Sequence, residues 1–240
     1  MKGILTDLDG TLLHCDMKVF IPNYLKALQQ EAIREGLVPK ESTLIERILQ
    51  GTQAVRENAD RSRTNEQVFM DSFFQDEYFA ERKEKMLAFF SRFYAEVFPT
   101  LRKYSQPFPF AGRLADAMFE TGLPVILATA PVFPRVAIEA RVAWAGLSGY
   151  PFVEKTSYEV VHSCKPQADY FAETASLAGL SPADCLMIGN DRRDDLLAVR
   201  TGMETYLLEE FVVDKGLETE NPTYHGKAEE LIAFLRAGKK

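Results

Sequence analysis

The sequence predicts an α/β protein in which helices cover both faces of a parallel sheet, with a helical segment inserted near its start. Three observations carry this. Apolar runs, among them Gly3-Ile4-Leu5-Thr6, Val125-Ile126-Leu127-Ala128 and Cys185-Leu186-Met187-Ile188, alternate with helical patterns beyond residue 112. The runs are apolar throughout, as strands buried on both faces must be. Between residues 21 and 104 the pattern changes to a helical one.

Taken in order, residues 3–6 form a strand that ends abruptly at Asp7-Leu8-Asp9-Gly10-Thr11, a strand feeding a glycine turn. Within the helical stretch the clearest segment is 83–98. There Met86, Phe90, Phe93 and Val97 repeat at helical spacing beside Leu87, Tyr94 and Phe98, an apolar stripe that reads as packing core. Gly36-Leu37-Val38-Pro39 and Gly51-Thr52 are the expected breaks between earlier helices. Residues 105–112, with Pro107, Pro109 and Gly112, form the best linker. A helix over 113–121 then leads through Gly122 to the strand that stops at Thr129. A helix over 135–145, an extended Phe152-Val153 and a helix over 167–178 come next. The strand 185–188, a helix over 194–201, the strand 205–208 and a helix over 228–236 complete the chain. The expected organisation is a core of residues 1–13 and 108–240 carrying a helical insert of residues 14–107.

Composition narrows the class. Apolar residues are 46% and charged residues 26% of 240, which is globular usage and excludes wholesale disorder. The charge-free stretch 121–134 is interrupted by Pro124 and Pro131 and falls short of the roughly 20 apolar residues a membrane helix needs. Acids at Asp7 and Asp9 stand where a signal peptide would place its apolar stretch. Cys15, Cys164 and Cys185 are widely spaced with no CxxC pair, which suits free thiols in a reducing cytoplasm rather than zinc. The net charge of −7 argues against nucleic acid or anionic membrane as partner. Residues 14–107 hold 14 basic and 14 acidic residues, so the whole deficit belongs to the core. Acidic surface accounts for most of it, but not for carboxylates paired beside apolar strands.

In an open parallel sheet, ligands bind beyond the carboxyl ends of the strands. Asp7, Thr129 and the Gly189-Asn190-Asp191 turn all follow such strands, and neighbouring strands would bring them to one crevice. Lys165, with Pro166 placed at the first helical position, would lean into the same crevice. Two carboxylates as close as Asp7 and Asp9 stay ionised only beside cations or donors; otherwise one keeps a proton, a split useful for nucleophile-plus-acid chemistry. Asp191, Asp194 and Asp195 supply oxygens of the kind Mg²⁺ takes, although acids also favour a helix start.

In order, Asp7-Leu8-Asp9-Gly10-Thr11, then Thr129, then Lys165-Pro166, then Gly189-Asn190-Asp191 through Asp195 resembles the haloacid dehalogenase (HAD) superfamily. The helical insert resembles the cap of its phosphoglycolate phosphatase and dehalogenase-like branch. The resemblance implies a HAD-like Rossmannoid core. It implies Asp7 as the nucleophile that becomes an aspartyl-phosphate, and Asp9 as the acid and then base. Thr129 and Lys165 would bind phosphoryl oxygens. Asp7, the Asp9 carbonyl and Asp191 would hold Mg²⁺, with Asp195 supporting its waters. Asn190 departs from the Asp of many relatives, and Ala130-Pro131 from the usual residues after the threonine. Lys165-Pro166-Gln167-Ala168 lacks the second proline that many relatives have.

The expected function is Mg²⁺-dependent hydrolysis of a small phosphomonoester by a monomer or homodimer. A phosphosugar mutase shares these motifs and would reveal itself by isomerised product. Dehalogenases lack the second aspartate. A phosphonate hydrolase would use a cap lysine, with Lys18, Lys26, Lys40, Lys83, Lys85 and Lys103 available. A catalytically silent scaffold is the alternative outside enzymes. No GxGxxG follows the first strand, against a dinucleotide site. In the cap, residues 52–58 with Arg56, and then Arg61 and Arg63, are the expected donors to an anionic leaving group.

Overall fold

The computed structural model describes residues 1–216 and 219–238. Its main sheet has five parallel strands: β1 (Gly3–Thr6), β4 (Val125–Leu127), β5 (Cys185–Gly189), β6 (Glu204–Leu208) and β7 (Tyr224–Gly226), in the order β4-β1-β5-β6-β7. A second, two-residue pairing joins β2 (Leu13–His14) to β3 (Gln106–Pro107), antiparallel, with Leu13 opposite Pro107. That small ribbon ties together the two ends of the helical segment.

Side-chain alternation along the strands builds the two faces. Leu5, Ile126 and Met187 point to one side, against Tyr170, Phe171 and Ala175 of α8 (Ala168–Ser176). Ile4, Val125, Leu127, Leu186 and Ile188 point to the other, where α6 (Ala111–Glu120) and α9 (Ala228–Ala237) cover them. The inserted segment consists of α1 (Met17–Arg34), α2 (Leu44–Glu57), α3 (Asn65–Phe73), α4 (Glu77–Ala80) and α5 (Lys83–Arg92). Its core is continuous with that of the sheet. Phe20 and the stacked pair Phe98 and Trp144, 5.4 Å apart, bridge them across α7 (Arg135–Trp144). The break expected after α1 falls where it was read, at Gly36.

Four expectations change. Gly51 lies inside α2 rather than between helices; a Cβ there would meet the Phe69 ring at 2.8 Å, so the glycine lets α2 and α3 approach closely. The helix expected over 83–98 stops at Arg92, becoming a π turn (Phe93–Val97) and a 3₁₀ segment (Phe98–Tyr104), with Pro99 unable to donate to the ladder. The helix expected over 194–201 is 3₁₀ from Leu196 to Thr201, because Asp191 Oδ1 accepts the backbone N–H groups of Arg193 and Asp194 and turns the chain first. Pro166 does not open α8, which begins at Ala168 with Gln167 as its cap. The short edge strand β7 carried no sequence signal; Tyr-His-Gly is neither long nor apolar.

No helix among the described residues is long and apolar enough to cross a membrane. All three cysteines are free and buried. Burial pushes the Cys15 thiol up to about 12, and those of Cys164 and Cys185 to about 11. At pH 8 the thiolate is then about one part in a thousand or less, and the thiolate is the reactive form. Iodoacetamide should therefore label none of them in the native protein and all three in urea. Rapid native labelling at pH 8 would contradict this burial.

Candidate active site

Because β1 lies between β4 and β5, with Thr6 in register with both Leu127 and Ile188, the residues that follow these strands meet at one sheet edge. Asp7 leaves β1 with its N–H donating to Ile188 O at 2.9 Å. The chain then reverses: the N–H groups of Thr11, Leu12 and Leu13 all donate to Leu8 O. Gly10 makes this possible, with φ of +90° and a site where a Cβ would lie 2.2 Å from Asn190 Nδ2. Asn190 in turn donates to Phe211 O at 2.7 Å, and its Oδ1 accepts from the Thr11 hydroxyl at 3.1 Å. The asparagine that departs from many relatives thus ties the first motif to the fourth.

Asp7, Asp9, Thr129, Lys165, Asn190, Asp191, Asp194 and Asp195 line one cavity of about 360 Å³. Lys165 is buried at its floor. Its Nζ donates to Asp7 Oδ1 at 2.9 Å and to Asp195 Oδ1 at 2.6 Å. Burial opposes the ammonium, but the carboxylates of Asp195 and Asp7 outweigh it and hold Lys165 well above the usual lysine range. Burial raises Asp195 to about 7 against the opposing pull of Lys165. Asp7 is raised by the same desolvation, which Lys165 opposes and the charge of Asp9 reinforces. With Oδ1 held by Lys165, Asp7 Oδ2 accepts, among the described residues, only from the Thr11 hydroxyl, at 3.4 Å.

Thr129 presents its hydroxyl to the cavity without a protein partner among the described residues, while Thr156 and Tyr170 donate to its carbonyl at 2.8 and 2.9 Å. Of the four acids expected in the metal set, the two from the last motif, Asp191 and Asp195, differ in their engagement. Asp195 Oδ2 accepts from the backbone of Asn190 and Asp191 at 3.0 and 2.9 Å, so both of its oxygens are occupied. A Cβ at residue 189 would sit 2.2 Å from that carboxylate, which only glycine allows. Asp191 Oδ2 lies 2.8 Å from the ammonium of Lys215, which also reaches Asp194. Among the described residues no three carboxylate, imidazole or thiol groups converge tightly enough to hold a metal ion.

Sequence reading missed two cations. Lys215 belongs to a polar loop and carried no pattern. Arg141 did carry one: it occupies the stripe on which Ala137, Ile138 and Val142 are buried, a charge on an apolar face. The structure buries it completely, Nη1 donating to Asp9 Oδ2 at 2.5 Å and the guanidinium lying 4.7 Å over the Phe133 ring. Among the described residues its Nε and Nη2 have no hydrogen-bond partner, and neither does Asp9 Oδ1. Burial raises the Asp9 carboxyl and Arg141 opposes that rise.

Two of the cap arginines expected to meet a leaving group do other work. Arg61 laces the inserted helical segment to residues 162–169, bonding His162 O at 2.9 Å, Gln167 Oε1 at 2.6 Å and Asp169 Oδ2 at 3.0 Å. Arg63 pairs with Asp71. Both sit on the connection between α2 and α3, from which Arg61 reaches residues 162–169 and Arg63 reaches back to α3. Arg56 does reach the cavity, as does Lys18; the other cap lysines named above do not line it.

The family model described as haloacid dehalogenase-like hydrolase matches residues 1–201. No curated protein matches the sequence. Solved structures do. A HAD phosphatase from Thermococcus onnurineus is 21% identical, with 98% of each chain covered and a TM-score of 0.57. The L-2-haloacid dehalogenase from Xanthobacter autotrophicus is 16% identical, with 98% of each chain covered and a TM-score of 0.54. The HAD-hydrolase YfnB from Bacillus subtilis, solved bound to magnesium, is 19% identical, with 98% of each chain covered and a TM-score of 0.55. At these identities the likeness concerns the fold.

Proposed function

We propose that this chain, which belongs to the haloacid dehalogenase-like hydrolase family, is a Mg²⁺-dependent phosphatase of a phosphomonoester. The observation that supports it best is the division of labour at the end of β1. Lys165 holds one oxygen of Asp7 and leaves the other exposed to the cavity, while a second buried carboxyl, Asp9, stands two residues on. A dehalogenase has no use for that second acid. The insert of residues 14–107 acts as the cap over the core of residues 1–13 and 108–240.

The donor set fits magnesium in its chemistry. Mg²⁺ takes one or two carboxylates together with substrate phosphate and water, all oxygens. The carboxylates of Asp7, Asp9, Asp191, Asp194 and Asp195 line the cavity, and among the described residues no histidine does. Asp191 is shared with Lys215, whose side chain is 41% exposed, and a pair that open is worth only about 0–1 kcal/mol. Asp7, the Asp9 carbonyl and Asp191 would hold the ion, with Asp195 fixing the turn that carries Asp191. Bound there, Mg²⁺ offsets the charge repulsion between a phosphate dianion and a carboxylate nucleophile.

The chain's own residues then account for the rest. Asp7 Oδ2 attacks phosphorus as the bond to the leaving oxygen breaks, and Asp9 donates its proton to that oxygen. Lys165 keeps Asp7 oriented, and the Thr129 hydroxyl and Lys165 ammonium face the phosphoryl oxygens. Asp9, now ionised beside Arg141, takes a proton from water as the water attacks phosphorus, releasing phosphate and restoring Asp7. Full-length protein incubated with p-nitrophenyl phosphate should release phosphate with Mg²⁺, lose that activity to EDTA and regain it on adding Mg²⁺. Release indifferent to EDTA, chloride release from 2-chloropropionate instead, or isomerised sugar phosphate without phosphate would each overturn the reading.

A further inference from the structure

Beyond the reaction cavity lies a second and larger one, of about 780 Å³, a cleft partly open to solvent between the inserted helices and Val132, Phe133 and Tyr158. The two share Ile21, Arg56, Val132 and Phe133 in their linings, so they adjoin at that neck. Its walls are apolar, set by Ile48, Leu49, Phe69, Met70, Phe90 and Phe133. The volume falls in the range that encloses a ligand of drug size.

Most of the polar groups on its walls already have a protein partner. Tyr24 and Tyr94 bond to one another at 2.7 Å, and the Thr52 hydroxyl donates to Ile48 O at 2.8 Å. Glu46 and Gln50 bond at 3.0 Å on the exposed surface of α2, and Gln53 bonds Glu57. Among the described residues only the Tyr158 hydroxyl and the Arg56 guanidinium line the chamber without a partner. Arg56 stands at the neck, on the side of the phosphoryl site, and not in the depth of the chamber.

We infer that the substrate is the phosphomonoester of an apolar alcohol, alkyl or aryl, whose carbon skeleton fills this chamber while its phosphoryl group meets Asp7. This rests on the phosphatase reading above and names its substrate class. A sugar or other polyol has the opposite demand. Each hydroxyl beyond those that Tyr158 and Arg56 can meet, taken from water into these walls, carries the penalty of an unmade hydrogen bond. A leaving group as small as a two-carbon acid would leave most of the apolar chamber unfilled. Arg56 at the neck suits the anionic end of the ester, and the single free phenol of Tyr158 accommodates one polar atom at most along the chain.

The test is binding of non-hydrolysable phosphonates to the full chain by calorimetry, with Mg²⁺, over the series butyl, hexyl, octyl. Affinity should rise about fourfold per added methylene, the factor for burying one CH₂ at about 0.8 kcal/mol. Met70→Trp, which fills the chamber from α3, should flatten that gradient in protein whose melting temperature shows it folded. In turnover, kcat/KM for octyl or 1-naphthyl phosphate should exceed that for glucose 6-phosphate or phosphoglycolate by about a hundredfold or more, because several sugar hydroxyls would go unpaired. A gradient without turnover of any ester would keep the apolar site and overturn the catalytic reading. Phosphate release with a flat gradient, or with polyol esters preferred, would overturn this inference and leave the phosphatase standing. A gradient that persists in Met70→Trp would place the chain somewhere other than this chamber.

Discussion

Asp7→Asn should abolish phosphate release while leaving a folded protein. The loss expected is at least about four orders of magnitude, or about 5 kcal/mol of barrier, the scale on which removing a covalent nucleophile acts. The geometry makes the demand specific. Lys165 holds Oδ1 at 2.9 Å, so the oxygen facing the cavity is the reacting one, and an amide there has no nucleophilic oxygen of comparable strength. Stability should change little. Asp7 is raised by burial and by Asp9, so a neutral isostere relieves unfavourable terms, while Lys165 keeps Asp195 at 2.6 Å. Phosphate release above about one percent of wild type would remove Asp7 from the nucleophile's role. The paired readouts are a phosphate assay and a thermal melt on the same preparation.

Arg141→Met should be the most destabilising substitution near the site. The arginine is 2% exposed and compensates a carboxylate that is itself 12% exposed. Removing one partner of a buried pair costs about 3–5 kcal/mol, against a total stability of about 5–15 kcal/mol for a domain. The loss should depend on pH. Without the guanidinium the folded Asp9 carboxyl rises further above its unfolded value. That contribution to stability is fully present below the unfolded pKa and is lost as pH rises through the raised folded one. Urea denaturation should show a larger deficit at pH 8 than at pH 5. The double variant Asp9→Asn with Arg141→Met should be less destabilised than the two singles combined, because the uncompensated charge is gone. An Arg141→Met protein within about 1 kcal/mol of wild type at pH 8, or additive singles, would show that the pair carries no such coupling. In active enzyme the same loss should move the acidic carboxyl's limb of the pH–rate profile to higher pH.

Much of the site was legible because a parallel sheet converts sequence into position. Asp7, Thr129 and Asn190-Asp191 each follow an apolar run, and the ends of neighbouring parallel strands lie together whatever the loops do. Lys165 was legible as a motif member, but its simultaneous hold on Asp7 and Asp195 was not. That contact depends on how Asp195 folds back over Gly189, a backbone reversal driven by hydrogen bonds to single carboxylate oxygens. The same reversal turned an expected helix into a 3₁₀ segment. Arg61 illustrates the opposite failure: its charge was visible, yet whether it faced ligand or protein depended on a segment a hundred residues away.

Local pattern was enough to read the alternation of strands and helices, the helical stretch between them and the order in which Asp7, Thr129 and Asp191 arrive at the sheet edge. Those follow from period and chain polarity, which are local properties. Tertiary structure alone decided the pairing of Arg141 with Asp9, the seating of Lys215 on Asp191 and the apolar chamber behind Arg56. Charge pairing and cavity volume depend on distances between elements remote in the chain, and burial amplifies each such contact by removing the water that would otherwise screen it.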